Sequence, residues 1–299
     1  MQSKLLLSAT FLALLSFVPN IFAQEKTDTT GWKTPVIIDF TTTQTAYSDS
    51  WSGGEAGSVN WTSNLNAIAE KQMSQKFHFK STLKMSFGQT ITQDSTKEWS
   101  DPKKSTDLID WENVGRFTLN TFVDPYTAFR VETQFYDGSV IAKKRYLSPI
   151  LTTESVGFAK KVYNKNDKEI ITRLGFALRQ LKKTVILDSL LLTTTDSTLT
   201  DGGLESVSDA TFKFNKKLSY TGKLTLYKAF FFSKSDEVKG TIHEDDWKTI
   251  DINWENILNA QLSKVITVNF YAQLLYDKEI SKKGRFKETL AIGFVYKLM

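Results

Sequence analysis

Read every second residue from Ile250 and the chain is apolar: Ile250, Ile252, Trp254, then Leu258, Ala260 and Leu262. The residues between are polar, among them Asp251, Asn253, Glu255, Asn259 and Gln261. After a tight turn at Ser263-Lys264 the pattern resumes as Ile266, Val268, Phe270, Ala272, Leu274 and Tyr276. After a break at Ser281–Gly284 it returns as Leu290, Ile292, Phe294, Tyr296 and Leu298, against Lys287, Thr289, Gly293 and Lys297. Period-two alternation predicts strands with one apolar and one polar face. Three in succession make an antiparallel meander. Their length exceeds the usual five or six residues of a soluble sheet, by roughly the margin a strand needs to cross a bilayer.

The same signal, followed from the start of the chain, predicts nine earlier strands. The first covers Pro35 to about Gln44 and the second about Val59 to Lys71. In the third, Phe77, Phe79, Leu83, Met85, Phe87 and Ile91 alternate with His78, Lys80, Thr82, Lys84, Ser86 and Thr90. A polar segment from Gln93 to Ser105 leads to a fourth strand ending at Arg116–Val123. Asp124-Pro125 is expected to turn the chain into the fifth, with Phe129, Val131 and Phe135 on one face. Asp137 to Thr152 reads as loop. A sixth strand spans about Thr153 to Val162, with a turn at Asn164-Lys165-Asn166-Asp167. The seventh sets Ile170, Leu174, Phe176 and Leu178 against Thr172, Arg173 and Arg179. Leu181 to Gly203 is expected to be the longest irregular region. The eighth covers about Leu204 to Asn215, the ninth Leu218 to Phe232, and a charged loop runs from Ser233 to Asp246.

That makes twelve strands with no helical periodicity and no domain boundary. Predicted connections after odd-numbered strands are long, and those after even-numbered strands are short. In an up-and-down barrel, alternate connections lie at opposite ends, and short turns opposite long loops are the outer-membrane arrangement. The fold expected is all-β: a single antiparallel up-and-down transmembrane β-barrel of about 12 strands over residues 35–299, after a signal peptide at 1–23 and a polar leader at 24–34. Both termini are expected on the periplasmic side.

The signal peptide is read from Lys4, the apolar run Leu5 to Val18, and Ile21-Phe22-Ala23 before Gln24. Cleavage there removes one cation, Lys4, from a chain of net charge +5, leaving +4. That mild excess, with no basic patch interleaved with aromatics, speaks against nucleic acid. The absence of cysteine excludes both a disulfide and a lipid anchor on a cysteine. No later apolar run is long enough for a membrane helix, so membrane residence requires a closed barrel.

Alternation does not say which face points outward. Three features favour lipid outside. Twelve strands enclose more space than one apolar face fills, since about eight strands is the size that fills well. The opposite face carries Lys80, Lys84, Arg116, Arg130, Glu132, Arg173, Arg179, Asp251, Glu255 and Lys287, which suit a wet lumen. Aromatics gather near strand ends, as in two interfacial girdles: Phe77, Phe79, Tyr126, Phe129, Tyr220 and Tyr296 towards the turns; Phe135, Phe230, Phe232, Trp247 and Tyr276 towards the loops. The lumen charges are expected to divide by sign, with a basic wall from the third, fourth, fifth and seventh strands facing Asp251, Glu255 and Asp277 across the barrel.

Chemistry is sparse. Of the two histidines, His78 sits on the polar face of the third strand and reads as a solvated lumen residue. His243 shares a loop with Glu244, Asp245 and Asp246. A loop histidine beside carboxylates can serve as a general base, but an exposed charged loop is the plainer reading. Two histidines without cysteine do not build a Cys or multi-His zinc site. Asp236, Glu237, Asp245 and Asp246 have the chemistry for Ca²⁺, though a solvated acidic cluster is the default. Gly53-Gly54 reads as a turn, and Trp51 beside it as a loop anchor. No catalytic residue, cofactor or metal is expected.

The chain resembles a family of uncharacterised Gram-negative outer-membrane β-barrel proteins, catalogued as a domain of unknown function. The resemblance rests on Trp51-Ser52-Gly53-Gly54-Glu55, on Asp251–Asn259 with Trp254 and Glu255, and on Leu275-Tyr276-Asp277-Lys278. It continues in Phe286-Lys287-Glu288-Thr289-Leu290, Gly293-Phe294 and Tyr296-Lys297. It departs at the end, where Leu298-Met299 stands in place of a terminal aromatic. The resemblance implies a fold and an outer-membrane location, and supplies no activity. The expected function is a narrow porin-like channel for small polar solutes, framed by the lumen charges. The alternative is a salt-bridged, closed barrel that serves as an anchor and offers its outer loops to a partner; an outer-membrane hydrolase ranks last. The expected partners are outer-membrane lipid and, during biogenesis, the barrel-assembly machinery.

Overall fold

The alternating segments become strands of one closed sheet. In the computed structural model, which describes residues 31–45, 56–94, 96, 98–119, 121–140, 142–188 and 192–297, fourteen strands follow one another. They are β1 (Val36–Thr45), β2 (Ser58–Ser74), β3 (Phe77–Thr92), β4 (Lys103–Phe117), β5 (Asp124–Thr133), β6 (Tyr136–Asp137), β7 (Arg145–Tyr146), β8 (Ile150–Lys165), β9 (Lys168–Asp188), β10 (Thr193–Lys213), β11 (Leu218–Phe232), β12 (Ile250–Gln261), β13 (Ile266–Tyr276) and β14 (Arg285–Lys297). β6 and β7 form a small separate hairpin, and the other twelve close an antiparallel barrel. Closure runs through β1 and β14, with Ile38 opposite Tyr296 and Phe40 opposite Phe294. Residues 1–23, residues 24–30 of the polar leader and Trp51–Glu55 lie outside the described residues.

The barrel sorts its connections. At one end the chain passes from β2 to β3, β4 to β5, β8 to β9, β10 to β11 and β12 to β13; at the other it passes from β1 to β2, β3 to β4, β5 to β8, β9 to β10, β11 to β12 and β13 to β14. Of the two two-residue turns, Asn166-Asp167 has both residues at positive φ (53° and 58°). That is the geometry of a two-residue hairpin whose twist matches its strands, and Asn and Asp tolerate it best after glycine.

The apolar face is outside. Phe294 is 65% exposed, Phe176 64% and Phe158 57%, whereas Arg173 is 4% exposed and Asp110 3%. Exposed apolar side chains occur on every strand of the barrel but β3, which in water would be an aggregating surface and in a bilayer is the required one. Among the described residues, no helix is long and apolar enough to cross a membrane. Aromatic pairs mark both rims: Trp32–Phe79 and Phe77–Phe117 near the turns, Phe40–Trp61–Phe87 and Phe232–Trp247 near the loops.

Four expectations are corrected. The fourth strand begins at Lys103 and ends at Phe117, not at Val123; residues 118–123 are the turn, held by the Leu119 N–H donating to Asp124 Oδ1 at 3.0 Å. Asp124-Pro125 opens β5 rather than preceding it. Its alternation is hard to read because Asn113 and Gly115 dilute the apolar face of β4. The segment Leu181 to Gly203 is not irregular: β9 and β10 are 21 residues each and stay paired from Lys168 with Phe212 up to Asp188 with Thr193. Towards that tip, facing residues such as Lys182 with Thr198 and Thr184 with Asp196 are polar. A strand wet on both faces has no apolar alternation to reveal it. The extension is braced from the side, because Arg145 Nη1 donates to the Thr184 carbonyl at 3.1 Å and the Thr184 N–H donates to Ser148 Oγ at 3.0 Å. Tyr126 also leaves its expected girdle. It points inward, 2% exposed, among Ala128, Ala159 and Val114.

Candidate functional site

Because strand residues alternate, the inward positions of β3, β4, β5, β9, β10, β11 and β12 can be read off the ladders. Lys84 faces Asp110, and Asp110 faces Glu132. Arg173 faces Val207 and Glu205 faces Tyr227. These inward side chains meet in the middle of the barrel.

Glu112 of β4 is the hub. Its Oε1 accepts from Arg173 Nη2 of β9 at 2.7 Å and its Oε2 accepts from Lys223 Nζ of β11 at 2.8 Å. In the ring order, β4 and β11 lie nearly opposite one another, so this contact spans the lumen. A second span joins Lys84 Nζ of β3 to Glu255 Oε2 of β12 at 3.3 Å. On the near wall, Arg130 Nε and Nη2 donate to the two oxygens of Asp110 at 2.8 and 3.0 Å, and Glu132 Oε1 lies 3.0 Å from Nη2. Arg173 Nη2 also reaches Asp209 Oδ2 at 3.3 Å. Opposite charges bridged in fixed geometry attract strongly where water is scarce, and removing one partner strands the others.

Towards the loops, Arg179 donates to Asp201 Oδ1 at 2.8 Å and to Asp251 Oδ2 at 2.9 Å. Its guanidinium lies 3.5 Å from the ring centre of Tyr227, whose hydroxyl donates to Asp201. Above the charged layer, a cavity of about 300 Å³ opens at the loop end, lined among others by Arg130, Glu132, Arg179, Glu205, Asp251 and Asp277.

Lys84, Arg130, Glu132, Arg173, Arg179, Asp251 and Glu255 are thus brought together inside the barrel. Lys80, Arg116 and Lys287 share the inward parity of their strands but lie apart from this cluster. Arg116 Nε lies 3.9 Å from Asp124 at the turn end. Lys80 is exposed near the same end, beside His78, whose Nε2 is 2.9 Å from Glu70 Oε1. Lys287 Nζ donates to Thr106 Oγ1 at 3.3 Å, over the Tyr271 ring. Trp51 lies outside the described residues. The expected separation of signs does not hold: acids and bases interleave, because Asp110, Glu112, Asp201 and Asp209 share the walls with the arginines. These acids, with Lys223 and Glu205, were missing from the sequence reading. The available signal was strand parity, which puts Asp110 and Glu112 on the face of Lys84 once β4 is placed correctly.

In the 233–249 connection, His243 Nδ1 lies 2.7 Å from Asp246 Oδ2, and Lys278 Nζ lies 3.1 Å from Asp246 Oδ1. The hydrogen bond to His243, then that to Lys278, hold the Asp246 carboxyl below its usual range. The arrangement ties two outer connections together.

Comparison with known proteins adds a family and several structural likenesses. No curated protein matches the chain. Among solved structures, the translocator domain of the autotransporter NalP from Neisseria meningitidis aligns over 97% of this chain and 94% of its own, at 9% identity and a TM-score of 0.39. An outer membrane channel from Pseudomonas putida F1 aligns over 93% of this chain and 97% of its own, at 10% identity and a TM-score of 0.41. At those values the likenesses carry no functional argument. The protein family described as "Protein of unknown function (DUF3078)" matches residues 42–138, which is less than half of the chain. Of the motifs behind the resemblance, Trp51–Glu55 falls within that span and those near the C-terminus do not. The chain is therefore similar, from the end of β1 to the start of the β6–β7 connection, to a family of unknown function, and its remaining strands complete that segment into a twelve-stranded barrel.

Proposed function

We propose that this chain is an outer-membrane β-barrel of a Gram-negative bacterium whose lumen is closed at mid-height. On this reading it is an anchor that presents a charged vestibule and long loops at the cell surface, not an open diffusion pore. Its termini lie on the periplasmic side, where an exported chain leaves them. The carrying observation is Glu112, which binds Arg173 and Lys223 from far walls and so occupies the space an open pore needs. The exposed apolar belt supports membrane residence, and the gathering of every connection longer than six residues at one end supports the orientation.

The test is conductance of the purified barrel in planar bilayers. Silence from the wild type, with discrete steps appearing in Glu112→Gln, is the expected result. Steady open steps from the wild type overturn the closed lumen and favour a narrow channel instead.

A further inference from the structure

The vestibule above the charged layer has an unused carboxylate. Glu205, inward on β10, is 9% exposed and lines the cavity. Among the described residues it makes no hydrogen bond and no ion pair. A buried carboxylate without a partner is costly, and buried charges are normally paired. Arg173 is near enough to feel its charge but makes its contacts to Glu112 and Asp209, and the cations that line the cavity are engaged in the same way. Arg130 is taken by Asp110 and Glu132, and Arg179 by Asp201 and Asp251. Asp277 lines the same cavity, also without an ion pair; its Oδ1 accepts only the Glu279 N–H, at 2.9 Å. Against these two carboxylates stands one lining cation without an ion pair, Arg285. Leu151, Ile252 and Leu275 give the same cavity apolar wall.

We propose that this cavity is a binding site for a small organic cation, an aliphatic amine or guanidinium, with Glu205 as its principal ion partner. The volume of about 300 Å³ suits a molecule of a few heavy atoms beyond its charged head. The ammonium takes the carboxylate of Glu205, Asp277 offers a second acceptor nearer the mouth, and the hydrocarbon stem lies on the leucine and isoleucine walls. The proposal rests on the reading of the lumen as closed below the vestibule, which makes the cavity a cup and not a corridor.

The test is calorimetric titration of the full barrel, folded in detergent, with 1,4-diaminobutane and, in parallel, with glutamate. Binding of the diamine, weakened at least tenfold in Glu205→Gln and less in Asp277→Asn, with no heat from glutamate, is expected. No diamine binding, equal binding by Glu205→Gln, or preference for glutamate overturns the site. Unchanged heat-modifiable gel migration shows that each variant is folded. Because binding and conductance are read separately, an open wild-type pore and an empty vestibule are distinct failures.

Discussion

Glu112 and Lys223 lie 111 residues apart in the chain and 2.8 Å apart in the barrel. Their contact, with that of Arg173 to the same carboxylate, is the strut on which the interior is built. Replacing Glu112 by Gln leaves Arg173 and Lys223 facing one another without the charge between them. Breaking a buried pair in this way costs about 3–5 kcal/mol when the site is dry, so a loss nearer the lower bound is expected beside the vestibule. A lower temperature for the heat-modifiable transition measures it. An unchanged transition means that the network contributes nothing to stability.

The orientation of the faces is tested by charge. Phe270 lies on the outer face near the middle of β13, 39% exposed. Arginine at mid-bilayer on the lipid face costs about 2–4 kcal/mol. Phe270→Arg is expected to lower folded yield in lipid vesicles, whereas Asn269→Arg, facing the lumen, costs less. Equal tolerance at both positions is incompatible with lipid against Phe270.

Gly157 and Gly175 face each other between β8 and β9. A Cβ on Gly157 would lie 2.2 Å from the Leu174 carbonyl oxygen and 2.4 Å from the Gly175 Cα. Backbone atoms on both sides leave nothing to swing away. Gly157→Ala is expected to cost roughly 1–3 kcal/mol, the usual range for overpacking, read as a shift in the urea midpoint of refolding into detergent.

The outer connections respond to pH in opposite senses. Burial, then the charges of Asp277 and Asp251, push the Glu279 carboxyl up to about 7. The folded loop therefore holds this proton more tightly than an unfolded one. Its order is fullest below the ordinary carboxyl range, weakens as pH rises, and the loss is complete above about 7. Asp246 is held low, so its contribution is present above the ordinary range and lost as pH falls through its lowered value. Protection of the amides of residues 277–284, relative to their intrinsic exchange rates, should fall between pH 5 and 8 in the wild type and not in Glu279→Gln. Protection in 233–249 should fall only in acid.

Period-two alternation reports which side of a sheet a residue faces, and turn length reports which strands are neighbours; both are local. From them the sequence determined the twelve strands, the antiparallel order, the sorting of connections and the inward side of Lys84, Arg130, Arg173 and Arg179. The signal faded where its cause was absent: along β9 and β10 beyond the apolar belt, and at the start of β4. What only the tertiary structure decided is which inward charges meet. Parity says that Glu112 and Lys223 point inward, and not that they point at each other. That pairing depends on closure of β14 on β1 and on the stagger of strands around the ring, which no stretch of chain encodes alone. The distances between remote walls, on which the proposed bridged floor and the cup above it rest, come from the ring and not from any one strand.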